Sequence, residues 1–308
     1  MKYDPGMPNT LVHFAAQGAA SRGAWPRLDA RWIYLGCLLP DLPWILRRAV
    51  VAFGLPADSF DLRLYTMALA SLAGTLLLCA ALAAVTAAAR LIFVVLGANA
   101  LLHLLLDATE LKFGNGVHLA APLSWRMTSF DLVPGESPVY MVLAAAGALL
   151  VAWELSRPRK TIVAFLLTPR RLAASAAFLA AYLAFPLPFL GAIQASDSYS
   201  VKTLREVDAR AGRMVRLDRT AFHATPGGGV VHLWTGEDVR ATGARPAHDA
   251  VVSLEGTFLA PDVLRVDRLF EHRRDRDWPS YLALVLLAVV WVRPSRWLHA
   301  RGFQKRSE

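Results

Sequence analysis

Apolar residues along this chain gather into long runs instead of alternating with polar ones. Five runs approach the roughly 20 residues that a helix needs to cross a bilayer. They lie at 64–89, 91–106, 137–155, 172–193 and 278–292. A sixth, near 31–53, is interrupted by Pro40, Asp41 and Pro43. Proline removes a backbone donor and bends the chain, and a bilayer admits such a break only where protein or a watery cavity covers it, so a broken or half-inserted helix is predicted there.

Between 200 and 275 the pattern changes to short alternating runs, GRMVRLDRTAFHA, GGGVVHLWTGEDVRA, DAVVSLEGTFLA and DVLRVDRLFEH, bounded by Gly, Pro and Asp. That predicts antiparallel strands of a small barrel or sandwich. Their succession is similar to a five-stranded OB-type barrel. The predicted fold class is therefore mainly α, a polytopic membrane helix bundle, with a small all-β (OB-like or sandwich) extramembrane domain. Its divisions are 1–193 for the bundle, 194–277 for the β domain, and 278–308 for a final spanning helix with a basic tail.

Composition agrees with the pattern: of 308 residues, 55% are hydrophobic and only 19% charged, a balance of membrane proteins more than of soluble ones. The net charge of +9 would suit a nucleic-acid partner, but the basic residues flank the apolar runs, as in RRAVVAF, SRPRK, TPRR and RPSRWLHARGFQKR. There they anchor and orient helices, so membrane lipids are the expected partners and nucleic acid is not. The most basic stretches, 157–171 and 293–306, are assigned to the cytoplasm. That assignment places 107–136 and 194–277 outside, with Asp107 at the outer mouth of its helix and Arg90 at an inner turn. The opening MKYDPGMPNTLVHF has no unbroken apolar stretch, so no cleaved signal peptide is expected. Cys37 and Cys79 both lie in apolar runs. They supply neither a disulfide framework nor a cysteine-based zinc motif, so a metal would need histidine and carboxylate.

Ionisable groups within membrane segments are costly, and they pair or face a cavity. In LLHLLLDATE, His103 and Asp107 stand four apart, on one face of a helix. They form either a self-satisfied pair between packed helices or two ligands of one ion. Asp41, in YLGCLLPDLPW, either caps the following turn or faces a site. His13 is either an interfacial histidine at a helix start or a further ligand. His118, in GNGVHLAAPLSW, is a loop histidine or a helper, and Glu110 and Asp131 are the nearby carboxylates. His223, His232, His248, His272 and His299 lack the spacing of a zinc pair and are expected to be solvated. GxSxG, P-loop and HExxH motifs are absent from the sequence, which removes the commonest serine-hydrolase, nucleotidase and metalloprotease chemistries.

Taken in order, His13, then GCLLPDLP at 36–43, then LLHLLLDATELKFGNGVHLAAPLSW at 101–125 resemble the YdjM-like family of bacterial inner-membrane metal-dependent hydrolases. That family shows an N-terminal His, an LPDxDH segment, a THS segment, and an HxxxDxxT segment followed by a Gly-containing turn and a proline-bearing stretch. The resemblance covers about residues 8–155 and leaves out the β domain. It implies metal ligation by His13, Asp41, His103 and Asp107, with Pro122 and Ser124 matching the later part of the pattern. It further implies a divalent metal, zinc or manganese, activating water at the outer face of the bacterial inner membrane on a substrate it does not identify; a site at the outer mouth of the bundle would meet a lipid head group or phosphoester at the interface. Pro43, Trp44 and Met67 stand where the family has further ligands, which leaves a set sufficient for one ion. The alternative is a catalytically degenerate membrane protein that tethers its β-barrel as a binding or assembly module for an unidentified protein partner.

Overall fold

The computed structural model describes residues 10–134, 136–157 and 163–293. The opening segment to residue 9, part of the basic loop at 158–162, and the tail from 294, with His299, lie outside the described residues. The helical part begins with α1 (Thr10–Ala24), α2 (Ala30–Leu38) and α3 (Leu42–Ala52). Between α2 and α3, Pro40 turns Leu39–Asp41 into a single 3-10 turn, so the predicted break is real. α4 (Ser59–Leu69) and α5 (Leu72–Ala84) follow. The sequence suggested one continuous span over 64–89. The chain instead bends by 67° between α4 and α5, because Ser71 accepts the Gly74 amide at 3.2 Å and starts a new helix.

α6 (Ala89–Thr109) and α7 (Pro138–Ser156) are long and apolar enough to cross a membrane, as is the segment Pro169–Ala195 that begins with α8 (Pro169–Ala184). Two-residue strands β1 (Glu110–Leu111) and β2 (Val133–Pro134) pair in parallel between α6 and α7. Short helices α9 (Leu190–Ala195) and α10 (Val201–Arg205) lead from α8 into the barrel. The closing helix α11 (Trp278–Val292) covers the run the sequence marked and, at 15 residues, is shorter than the three helices above.

The β region is a closed barrel of β3 (Met214–Thr225), β4 (Gly228–His232), β5 (Asp238–Gly243), β6 (Ala250–Ala260) and β7 (Val263–Glu271), in the order β3-β4-β5-β7-β6. All pairings are antiparallel except β5 with β7. Val215, Leu217, Phe222, Val231, Val252, Leu254 and Phe258 alternate inward and fill it. Closure removes the open strand edges that an isolated sheet would expose.

Within the helices, α1 packs on α7 and α11, and α2 on α6. Two glycines permit the closest of these approaches. A Cβ on Gly36 would stand 2.8 Å from Asn99 Cβ, and one on Gly147 would stand 2.0 Å from the Leu11 carbonyl oxygen. Buried Asn99 adds a polar tie, donating to Ser21 Oγ at 2.9 Å and to the Val95 carbonyl. Polar ties of this kind hold helices together where hydrophobic contrast is weak.

Candidate metal centre

Three helices converge on one buried point. His103 and Asp107 come from consecutive turns of α6, His13 from the first turn of α1, and Asp41 from the proline break after α2. The break matters chemically, because carbonyls in the last turn of a helix lack intrahelical donors. The Cys37 carbonyl is one of them, and the close α2–α6 approach at Gly36 brings it 2.6 Å from His103 Nδ1. A carbonyl can only accept, so Nδ1 carries the ring proton and Nε2 keeps its lone pair.

That Nε2 is buried without a hydrogen-bond partner, 3.5 Å from Asp41 Oδ1 and 3.7 Å from Asp107 Oδ2. Lone pairs from a nitrogen and two carboxylates thus face one another, and only a positive charge among them relieves the repulsion. A metal ion or a second ring proton would supply it. The His13 ring stacks on that of His103, with centroids 3.9 Å apart and planes 10° from parallel. Its Nε2 lies 3.2 Å from Asp107 Oδ1. Its Nδ1 lies 3.0 Å from the Gln17 amide nitrogen, while Gln17 Oε1 is buried without a partner. Turning that amide end for end lets Oε1 accept from Nδ1–H and frees His13 Nε2 as a ligand, the arrangement already present at His103.

His13, His103 and Asp107 each present one ligand atom, all within 4.8 Å of one another, and this group could hold a metal ion. Asp41 sits at the cap position of α3 but makes no side-chain cap bond. Its Oδ1 faces His103 instead, and its Oδ2 is buried without a partner. Orphaned buried polar atoms cost free energy unless something bonds them, so the donor set fits a cation.

The other candidates fall differently. His118 is buried, and neither ring nitrogen has a partner of good geometry. Burial pushes its pKa down to about 4, against a weaker upward pull from the backbone at Trp125 and Arg126. Glu110 is not in the ligand group: its Oε2 lies 3.1 Å from Lys112 Nζ, which in turn sits 3.4 Å from Asp107 Oδ1. Burial opposes the charge on Lys112, but the carboxylates of Asp107 and Glu110 outweigh it and raise its pKa above the usual lysine range. Asp131 is exposed and bonded to Ser129. Pro122 is exposed and Ser124 half-buried in the same surface loop.

His223, His232 and His248 pair with carboxylates on the barrel surface, as expected of solvated histidines. His272 does not follow that expectation. Its Nδ1 is 2.6 Å from Glu136 and its Nε2 2.7 Å from Ser253 Oγ, with Arg276 close by. It closes the seam between the barrel and the start of α7. The seam forms only in the tertiary structure, so no local spacing marks it.

Above the metal group lies a cavity partly open to solvent. Asp41, His103 and Asp107 line its floor together with His118. Met67 and Trp44 line it too and give it apolar surface. Its roof belongs to the barrel, through Arg216 to Arg219 of β3 and Trp234. The sequence offered no sign that the barrel reaches the site.

No family model, curated protein or solved structure matches this chain. The site therefore stands on its own geometry.

Proposed function

We propose that this protein is a polytopic membrane protein of the bacterial inner membrane and a metal-dependent hydrolase. One divalent ion, zinc or manganese, would be held by His13, His103 and Asp107 with Asp41 as the fourth ligand. The observation that carries this reading is the convergence of His103 Nε2, whose lone pair is fixed by the Cys37 carbonyl, with the carboxylates of Asp41 and Asp107. When bound, such an ion lowers the pKa of water and polarises an ester or phosphoryl oxygen. The chain's own contribution is to fix the ligand tautomers, through Cys37 at His103 and Gln17 at His13. His118 is buried and neutral in the same cavity.

Two further observations support the membrane reading. Outward-facing Val139, Val142, Leu149, Leu179, Val285 and Val292 on α7, α8 and α11 are exposed. An apolar patch of that extent in water marks an interaction surface, and lipid is the matching medium. Basic residues Arg90, Arg157, Arg171 and Arg293 stand at the helix ends remote from the barrel. The tendency of short basic loops to remain inside then puts the barrel and the cavity mouth on the extracytoplasmic side.

The test is metal analysis of detergent-purified protein beside its His103→Ala/Asp107→Ala variant. About one zinc or manganese per chain in the wild type is expected, as for a single closed site, and none in the variant. A wild type that holds no metal after refilling overturns the reading and favours the tethered-barrel alternative.

A further inference from the structure

We propose that the cavity between the helices and the barrel is a binding site for a phosphate group carried on the substrate, and that the barrel supplies part of it. This names the substrate class of the metal centre and rests on the hydrolase reading for its catalytic meaning, although the anion site itself is built from different residues.

Six cationic side chains line the cavity: Arg47 and Arg48 of α3, Arg63 of α4, Lys112, and Arg216 and Arg219 of β3. Its lining carboxylates are Asp41, Asp107 and Asp218. Asp107 lies 3.4 Å from Lys112 and Asp218 3.0 Å from Arg219, and Arg216 pairs with Glu255 at 2.8 Å, so the lining carries six cations against three carboxylates and keeps an excess of positive charge. The Arg63 guanidinium lies 4.1 Å from the Trp234 ring centroid and 5.5 Å from that of Tyr199. Two aromatic faces hold its flat sides, and a guanidinium fork matches phosphate oxygens two at a time.

The barrel is shaped for this. The β3–β6 register shifts between Leu217 and Thr220, and Arg219 takes a left-handed backbone with φ 53°. A bulge of this kind re-aims side chains, and here the irregular residues Asp218 and Arg219 reach the cavity. Tyr199, which also lines the cavity, has a left-handed φ of 56°. Such conformations cost free energy and gather at ligand sites. His118, buried with unbonded ring nitrogens, offers a further polar group to the same space. A cavity with cationic walls and a metal group on its floor suits a phosphoester: the walls bind the non-bridging oxygens and the floor presents the hydrolytic centre.

The experiment measures inorganic phosphate binding to the full chain in nanodiscs by isothermal titration, with and without prior chelation. Wild type should bind phosphate in both states. Arg63→Gln, and Arg216→Gln at a half-exposed position that tolerates change, should each weaken binding roughly tenfold or more, the loss expected for one charge-assisted partner. Arg240→Gln, on the barrel surface away from the cavity, should leave it unchanged. Binding that appears only with metal present and ignores both cavity variants overturns the anion site while leaving the metal reading intact. Phosphate binding in a protein that never retains metal supports the anion site and overturns the hydrolase reading alone.

Competition then identifies the source of the phosphate. Displacement by glycerol 3-phosphate points to a soluble ester. Displacement by nanodiscs containing phosphatidic acid, but not by phosphatidylcholine alone, points to a lipid head group. Failure of both to displace phosphate overturns the assignment to a phosphoester.

Discussion

Replacing Gly147 with alanine should weaken metal binding at the proposed centre without unfolding the protein, although residue 147 lies on a helix that contributes no ligand. An added methyl would sit 2.0 Å from the Leu11 carbonyl oxygen and 3.2 Å from the Ala15 amide, where ordinary contact begins at 3.4 Å. Both are backbone atoms of α1 and cannot rotate aside, so α1 must retreat by more than an ångström. His13 lies between them on that helix and would retreat too. Metal–ligand distances tolerate only about 0.2 Å, so zinc affinity should fall at least as far as the roughly 10- to 100-fold seen for lost supporting contacts. Stability should change little: overpacking costs about 1–3 kcal/mol, offset in part by the ~1 kcal/mol advantage of alanine over glycine within a helix.

The assay is competition for zinc with a chromophoric chelator in detergent, with circular dichroism as the check on folding. Gly97→Ala is the control. That residue lies on the ligand-bearing α6, but its added methyl would meet only the Leu76 side-chain end, at 3.0 Å. Wild-type zinc affinity in Gly147→Ala, or an equal loss in Gly97→Ala, would refute the reasoning.

Three further outcomes are expected. Gln17→Leu should keep the fold and lower metal affinity about 10- to 100-fold, because His13 then loses the group that fixes its tautomer; chelator competition on the purified variant measures it. His118 has a folded-state pKa of about 4, below the value near 6.5 expected when unfolded, so the unfolded chain takes up that proton first. Stability should therefore be full above about pH 6.5 and decline as pH falls toward 4, and thermal unfolding of His118→Leu should show a shallower decline across that window. Glu136→Gln should loosen the barrel seam by roughly 1–3 kcal/mol, since Glu136 accepts from the Arg273 backbone amide at 3.0 Å and pairs with His272. Hydrogen exchange in β7 is the sensitive reporter, and unchanged protection there would count against the seam.

The sequence by itself determined the long apolar helices, the alternating strands of the barrel, the proline break near Asp41 and the pairing of His103 with Asp107. Each is a local signal: run length, a period of two, a ring that removes an amide, or a spacing of one helical turn. Only the tertiary structure decided the rest. The 67° bend at Ser71 was invisible because apolar composition continues through it. His13 and Asp41 came within reach of His103 and Asp107 only when α1 and α2 packed against α6, α2 closely at Gly36. Arg47 and Arg48 read as membrane anchors and Arg216 and Arg219 as strand positions until the barrel folded over the cavity. A side chain's chemistry is set by the charges and donors within a few ångströms of it, and here those neighbours come from residues as far apart in the chain as 13, 107 and 219.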